Sequence, residues 1–195
     1  MIEIIASWDE SLFLWLNALR ADWLDPVMNA LTGTAIWIPF YLLLVYFLIR
    51  QFRMEAIWYM VGLVGLILLA DQFTSGFMKP YFERLRPCHD PRWEGIIFNY
   101  SGCGGRYGFA SSHASNTFAL ATYFWLIFRS KASKWLFVWA AIISYTRVYL
   151  GVHYPADILV GALVGLFSGY FLYYLVGFLR RLRRDEASNP GKPTD

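Results

Sequence analysis

Charged residues are scarce in this chain. Asp, Glu, Lys and Arg make up 16% of its 195 residues, whereas hydrophobic types make up 57%. Soluble globular domains carry charge on about a quarter of their residues. The low charge and the mean hydropathy of +0.40 therefore argue against a soluble domain and predict a membrane protein. The N-terminus lacks a basic segment followed by a small-residue cleavage site, so we expect no removable signal peptide.

Cysteine is also rare, with Cys88 and Cys103 as its two positions. Their spacing does not fit a metal site, and His89 alone cannot complete one, so we expect no metal. If their loop faces an oxidising compartment, the two can form a disulfide, which would stabilise the loop by roughly 3 kcal/mol. The alternative is two unrelated thiols. We expect the disulfide.

Long apolar stretches dominate the rest of the chain. Five of them approach the roughly 17 to 25 residues that cross a bilayer, at 32–49, 56–78, 112–128, 135–150 and 155–179. Only the connection 79–111 is long. We predict an all-α bundle of five transmembrane helices in a single domain, 1–184, followed by a disordered tail at 185–195 that contains Pro190, Gly191 and Pro193.

Residues 1–20 have a different pattern, with apolar residues at helical spacing on one side and Asp9, Glu10 and Asn17 on the other. This predicts an amphipathic helix that lies on the membrane surface, anchored by its aromatic and aliphatic face. Packing of the segment against the bundle is an equally good interpretation. The apolar side consists of Ile4, Ile5, Trp8, Leu12, Trp15, Leu16 and Leu19.

Basic residues cluster in the short connections after the first and third spans and after the fifth span. The positive-inside rule places these ends in the cytoplasm. We therefore expect the protein in a bacterial-type inner membrane, with loop 79–111 on the periplasmic or outer side and the C-terminus in the cytoplasm. The basic residues are Arg50, Arg53, Arg129, Lys131, Lys134, Arg180, Arg181, Arg183 and Arg184.

Three polar clusters interrupt the apolar pattern near predicted span ends. In the first, Pro80 favours the start of a short helix that runs to Leu85 and ends before Pro87. Lys79 and Arg86 would then lie two turns apart on one side, where they could hold a phosphate. Such basic residues also occur simply as solvated or lipid-contacting groups.

The second cluster, Ser111-Ser112-His113, opens the third span. A helix N-terminus presents free N–H groups, and serine is a favoured cap, so this position can bind an anion. His113 adds a group that exchanges protons near neutral pH. A structural or interfacial histidine is the plainer interpretation.

The third cluster contains Arg147, His153 and Asp157, with Pro155 expected to begin the fifth helix. Asp157 would lie in the first turn and reach a ring nitrogen of His153, which fixes the tautomer of a nucleophilic histidine. The alternative is an acidic residue that complements the helix dipole beside an incidental histidine.

Together the clusters resemble the motifs of the type 2 phosphatidic acid phosphatase superfamily, which includes membrane lipid phosphatases, class A acid phosphatases and vanadium haloperoxidases. The first motif is matched by Lys79 and, after six residues, Arg86-Pro87. Arg147, His153 and Asp157 have the spacing of the third motif.

Two positions depart from the family pattern. The second motif usually reads Pro-Ser-Gly-His, and here it is Ala110-Ser111-Ser112-His113. Ser112 could narrow the phosphate site or add a hydroxyl contact. The third motif commonly begins Ser-Arg, and here Thr146 precedes the arginine.

The resemblance implies a metal-free and cofactor-free phosphatase. His153 would attack phosphorus and form a phosphohistidine while Asp157 orients it, and His113 would protonate the leaving oxygen and later activate water. The phosphate-binding set would be Lys79, Arg86, Arg147, Ser111 and the residue Ser112.

The expected substrate is a lipid phosphate or diphosphate in the phospholipid bilayer, with no nucleic-acid partner. We favour undecaprenyl diphosphate, because a small bundle with a short outer loop leaves little protein to recognise a large head group. Lipid A, phosphatidylglycerol phosphate and phosphatidic acid are alternatives, and a non-catalytic phospholipid-binding or transport protein is the alternative of another class. The oligomeric state is open, since Gly161, Gly165 and Gly169 could serve helix packing or a dimer face.

Overall fold

The computed structural model describes residues 2–100 and 102–188, which form helices joined by turns, without a strand in those ranges. Eight α-helices follow one another within these ranges. They are α1 (Ile2–Ala18), α2 (Asp25–Thr32), α3 (Ile38–Phe52), α4 (Ala56–Asp71), α5 (Lys79–Phe82), α6 (Ser112–Phe128), α7 (Trp135–Tyr149) and α8 (Pro155–Ser188).

Helices occur at all five predicted apolar stretches, which confirms the all-α class. A 3-10 turn at Ala35–Trp37 precedes α3, and a π-helical segment at Gln72–Met78 continues α4. Two continuous helical stretches among the described residues have the length and apolar composition to cross a membrane, Ala35–Phe82 and Pro155–Glu186. The number of spans stays a prediction.

Helix α6 lies at the centre of the bundle, against α4, α7 and α8. The glycines at 161, 165 and 169 bring α8 close to it. A Cβ atom added to Gly161 would lie 2.5 Å from the Ser111 carbonyl oxygen, and one added to Gly165 would overlap the Ser115 carbonyl oxygen. These glycines thus serve close helix packing, the first of the two predicted roles, and they hold α8 against the start of α6.

Helix α1 packs against α7 and α8, and its position on a membrane surface stays a prediction. Ile4, Trp8 and Trp15 are exposed and form an outward aromatic and aliphatic face. The polar side faces the bundle, since Asp9 and Asn17 are buried. Buried polar groups need partners, and Asn17 bonds the carbonyl oxygens of residues 98 and 149.

Two predicted boundaries were wrong. Helix α8 continues to Ser188, although disorder was expected from residue 185. The segment Asp185-Glu186-Ala187 contains no glycine or proline, so nothing in it breaks the helix; residues 189–195 lie outside the described ranges. Helix α5 ends at Phe82 rather than Leu85, because Glu83 adopts a left-handed conformation at φ 47°.

A disulfide between Cys88 and Cys103 closes the loop 79–111, with Cα atoms 5.8 Å apart. A single antiparallel bridge between Leu85 and Tyr107 pairs the two ends of the same loop. The Arg86 guanidinium donates from Nη1 to the Cys103 carbonyl oxygen over 2.8 Å. The crosslinked loop therefore fixes one of the predicted phosphate-binding cations.

Candidate active site

The His153 imidazole lies at the junction of α7 and α8, where the chain turns through Gly151 at φ 73°. Helix α8 begins at Pro155, as predicted, and this places Asp157 in its first turn. His153 Nδ1 lies 3.2 Å from Asp157 Oδ2. A carboxylate only accepts, so Nδ1–H donates and Nε2 keeps its lone pair. The predicted orienting contact is present.

Both members of this pair are removed from water, with His153 1% and Asp157 0% exposed. Burial lowers the pKa of His153 to about 4, against the opposing hydrogen bond and charge of Asp157. The imidazole is therefore neutral at pH 7, which is the state that a nucleophile requires.

Gly108 forms the wall beside the pair. A Cβ atom there would lie 3.0 Å from Asp157 Oδ2 and 3.4 Å from His153 Nδ1. A side chain at this point of the loop would therefore require its neighbours to shift by a few tenths of an ångström. The sequence motifs do not single out Gly108, because glycines are frequent throughout the loop.

Three cations lie within electrostatic range of the pair, since Arg86 and Arg147 act on His153 and Lys79 interacts with Asp157. Lys79 donates to Ser112 Oγ over 2.7 Å. Arg147 donates from Nη1 to Thr32 Oγ1 over 2.7 Å, and its buried Nε has no partner among the described residues. Within those residues, none of Lys79, Arg86 and Arg147 has a carboxylate oxygen within 4.0 Å. An uncompensated cation cluster of this kind attracts an anion such as phosphate.

The two serines of the second cluster have different tasks. Ser111 is fully buried and caps α6, with its hydroxyl accepting from the Ala114 N–H over 3.5 Å. The Ser112 hydroxyl instead accepts from Lys79, and it also lies 2.7 Å from Ser75 Oγ. The serine in place of glycine thus adds a hydroxyl that holds Lys79. Phosphate binding by Ser111 stays a prediction.

His113 occupies the first turn of α6 and is partly buried. It lies within electrostatic range of His153, Lys79, Arg86 and Arg147. The three clusters, distant in sequence, therefore converge on one region. His113 also lines an apolar cavity of about 350 Å³ between α3, α4, α6 and α7.

The site contains two residues that the motif analysis missed. Arg84 donates from Nη1 to Asp157 Oδ1 over 3.0 Å and from Nη2 to Asp9 Oδ2 over 2.7 Å. Asp9 also accepts from the Ala156 N–H over 2.8 Å. Asp9 lies on the same side of α1 as Asn17, and this spacing was a signal for it. The sequence did not show what that side of the helix contacts.

Among the described residues, no group of three or more His, Cys, Asp or Glu side chains could hold a metal ion.

A model of the PAP2 superfamily matches residues 60–181, which include all three clusters. The chain belongs to the PAP2 superfamily. This is the family that the sequence motifs resemble, and the geometry of His153 and Asp157 fits the role that the resemblance implies.

Known PAP2 proteins are similar to this chain over most of its length. A lipid A 4'-phosphatase of Bacteroides thetaiotaomicron is 36% identical, and the match covers 98% of this chain and 87% of the relative. The crystal structure of Aquifex aeolicus LpxE has a TM-score of 0.66 at 26% identity, covering 83% of this chain and 92% of that one. A putative undecaprenyl-diphosphatase of Escherichia coli is 33% identical but matches 53% of this chain and 50% of the relative. As a PAP2 protein with such relatives, the chain is a membrane enzyme of the lipid phosphatase class.

Proposed function

We propose that this PAP2 protein removes a phosphate group from lipid A or a similar glycolipid through a phosphohistidine at His153. One observation supports the proposal above all others. A buried, neutral His153 held by Asp157 lies beside a cluster of cations without a carboxylate partner among the described residues. That is a nucleophile next to a site for its anionic target.

The reaction takes two steps. His153 Nε2 attacks phosphorus, the bond from phosphorus to the lipid oxygen breaks, and His113 gives that oxygen a proton. Water then attacks the phosphohistidine, with His113 taking the proton of the water, and inorganic phosphate leaves. Asp157 stabilises the positive charge that develops on His153 in the first step.

The cations stabilise the transition state of both steps. Lys79, Arg86 and Arg147 bind the equatorial oxygens of the phosphoryl group, whose negative charge spreads over these oxygens during transfer. The arginines are held before the substrate arrives, since Arg86 bonds the crosslinked loop and Arg147 bonds Thr32. Such preorganisation lowers the reorganisation that the reaction requires.

The substrate preference drawn from the sequence changes here. Undecaprenyl diphosphate was favoured, but the relative of that kind matches about half of this chain, at 53%. The relative named a lipid A 4'-phosphatase matches 98% of it. Lipid A, one of the sequence-based alternatives, therefore becomes the proposed substrate, although the outer loop is short.

The side of the membrane is part of the same proposal. The disulfide between Cys88 and Cys103 supports a loop in an oxidising compartment. The basic residues at the opposite ends support a cytoplasmic C-terminus. Both support an active site on the periplasmic side. A reporter that is active only in the cytoplasm should give a signal when it is fused after Arg184. A signal from a reporter that is active only in the periplasm would contradict this orientation.

The activity is tested with purified protein in detergent and EDTA. We expect the wild type to release phosphate from lipid A faster than from undecaprenyl diphosphate or phosphatidylglycerol phosphate. His153→Ala should lose at least about a thousandfold in rate, as removal of a nucleophile does in other covalent enzymes. Equal rates for both proteins would rule out the mechanism. A higher kcat/KM with undecaprenyl diphosphate would rule out the proposed substrate.

A further inference from the structure

The apolar cavity beside His113 is large enough to take part of a lipid. Its volume of about 350 Å³ falls within the range of roughly 300–1,000 Å³ that is typical of ligand pockets. Leu44, Leu63 and Phe124 are among its apolar lining residues. His113 forms part of the wall and also lies within electrostatic range of His153, so the cavity adjoins the candidate active site.

One polar atom in the wall lacks a partner. Asn116 Oδ1 is buried, and no donor among the described residues reaches it. Buried polar atoms in folded proteins are nearly always hydrogen bonded. Asn116 follows His113 by three positions on α6, so the two side chains share a face of the helix with Cβ atoms about 5–6 Å apart.

Neighbouring hydroxyls do not supply the missing bond. Thr117 Oγ1 lies 2.8 Å from the His113 carbonyl oxygen and donates to it. Thr32 Oγ1 accepts from Arg147, and its hydroxyl does not reach Asn116 Oδ1. Both threonines also line the cavity. Asn116 therefore has an unused acceptor, which a rotation of its side-chain amide would present to a ligand in the cavity.

We propose that Asn116 accepts a hydrogen bond from an N–H or O–H group of the substrate close to its phosphate, and so selects the lipid. The inference rests on the proposed function and adds a determinant of specificity to it. An N-acylated sugar phosphate carries amide and hydroxyl donors near the phosphate. An isoprenyl phosphate carries none, so it leaves the Asn116 acceptor unpaired in a low-dielectric cavity.

The test compares two lipids in one detergent. Asn116→Leu has nearly the same size but no acceptor. We expect its kcat/KM with lipid A to fall about tenfold or more, mainly through KM. Farnesyl phosphate serves as a competitive inhibitor, so the protein does not need to hydrolyse it. It should inhibit Asn116→Leu at least as strongly as it inhibits the wild type. Asn116→Gln keeps the carbonyl and should recover part of the lipid A activity.

Leu120→Val is the matched control, since Leu120 lines the same cavity one turn further along α6. It should change the KM for lipid A and the inhibition by farnesyl phosphate to the same extent. If Asn116→Leu weakens lipid A hydrolysis and farnesyl phosphate inhibition equally, or leaves the KM for lipid A unchanged, the role of Asn116 is overturned. The proposed function would still stand. If the wild type releases phosphate from no lipid, the proposed function fails and the role of Asn116 fails with it.

A separate set of contacts links helix α1 to the catalytic pair. Arg84 lies between Asp9 and Asp157, and its guanidinium carbon is 4.1 Å from the centre of the Tyr154 ring. Asp157 Oδ2 meets His153 while Oδ1 meets Arg84. The Asp157 carboxylate is therefore held at both oxygens, at Oδ2 by His153 and at Oδ1 by Arg84, which is itself bonded to α1 through Asp9.

We infer that Arg84 and Asp9 are positioning residues for the proposed reaction, acting on His153 through Asp157. The charged groups that act on His153 are Asp157, Arg86 and Arg147, with Arg84 behind Asp157. Loss of Arg84 removes a positive charge near this set and leaves Asp157 Oδ1 without its partner, so that only the contacts of Oδ2 with His153 and the Tyr154 N–H orient the carboxylate. Both effects reach the imidazole, although neither residue touches the substrate.

Arg92 provides a matched control for Arg84. It also joins the loop to α1, through Glu10 over 2.8 Å, but it is exposed and does not contact Asp157. We expect Arg84→Met to lower kcat about tenfold or more and to move the acidic limb of the kcat/KM profile to higher pH, since the imidazole loses a neighbouring cation. Arg92→Met should leave the rate and the profile unchanged.

Asp9→Asn tests the other end of the chain of contacts. It keeps the size of the side chain and loses the ion pair with Arg84. We therefore expect the acidic limb of the kcat/KM profile to move to higher pH, but less than in Arg84→Met. Similar effects of Arg84→Met and Arg92→Met, or a fall in kcat with an unmoved pH profile, would show that Arg84 only supports the fold. Phosphate release from lipid A by the wild type, measured in parallel, keeps this result separate from a failure of the proposed function.

Discussion

At the residue scale, His153, the proposed nucleophile, stays neutral because the fold makes its charged form costly. It is buried and contacts one carboxylate, that of Asp157, whose second oxygen is bonded to Arg84. Burial outweighs that carboxylate and keeps the pKa of the imidazole at about 4. The same balance that maintains a free lone pair at Nε2 makes the folded protein resist protonation at this position.

Stability should therefore fall on acidification through His153. The folded-state pKa of about 4 lies below the unfolded value of about 6.5. The contribution is present above the unfolded pKa and is lost as pH falls from about 6.5 toward 4, up to roughly 3 kcal/mol. Thermal unfolding in detergent between these pH values should show a steeper decline for the wild type than for His153→Gln. Parallel declines would contradict the low pKa.

At the scale of elements, close contact between α6 and α8 brings His113 and His153 to one site. A Cβ atom on Gly165 would overlap the Ser115 carbonyl oxygen, whereas one on Gly177 of the same helix meets nothing within 4 Å. The two glycines thus form a matched pair in one helix.

Gly165→Ala should destabilise the protein by about 1–3 kcal/mol, because α8 must move away from α6. The displacement should also lower the rate of phosphate release. Gly177→Ala should leave activity unchanged and stabilise slightly, as alanine favours a helix. Thermal unfolding and phosphate release measured on both variants check this, and equal stabilities would show that the helices can separate without cost.

The outer loop is the second element on which the site depends. Its disulfide joins Cys88 to Cys103, whose carbonyl oxygen holds Arg86. The double change Cys88→Ser and Cys103→Ser should cost about 3 kcal/mol of stability. It should also raise KM more than it lowers kcat, since a binding cation loses its support.

Reduction of the wild type with dithiothreitol should reproduce the effect of that double change, and the same treatment of the double variant serves as the control. A wild type whose KM is unaffected by reduction would show that Arg86 does not need the crosslink.

At the scale of the whole molecule, the sequence predicted what depends on local pattern. The five apolar stretches became helices, and Pro155 began α8 with Asp157 in reach of His153, because proline position and helical spacing act over a few residues. The disulfide was predicted as one of two alternatives, from the loop that contains both cysteines.

Features that depend on tertiary contact were not predictable in this way. The polar side of α1 carries acidic residues, and only the folded chain shows that Asp9 meets Arg84 instead of water. Ser111 and Ser112 are adjacent and chemically alike, yet packing turns one inward as a cap and the other toward Lys79. Arg84 was overlooked because its role comes from partners 75 and 73 residues away.

The central claim is that His153 carries the phosphoryl group. Its most direct test is to mix the purified wild-type protein with lipid A labelled in its phosphate and to stop the reaction rapidly in alkali, where phosphohistidine survives. We predict label on the peptide that contains His153 and none in His153→Ala. Label on another residue, or steady phosphate release by His153→Ala, would contradict the account.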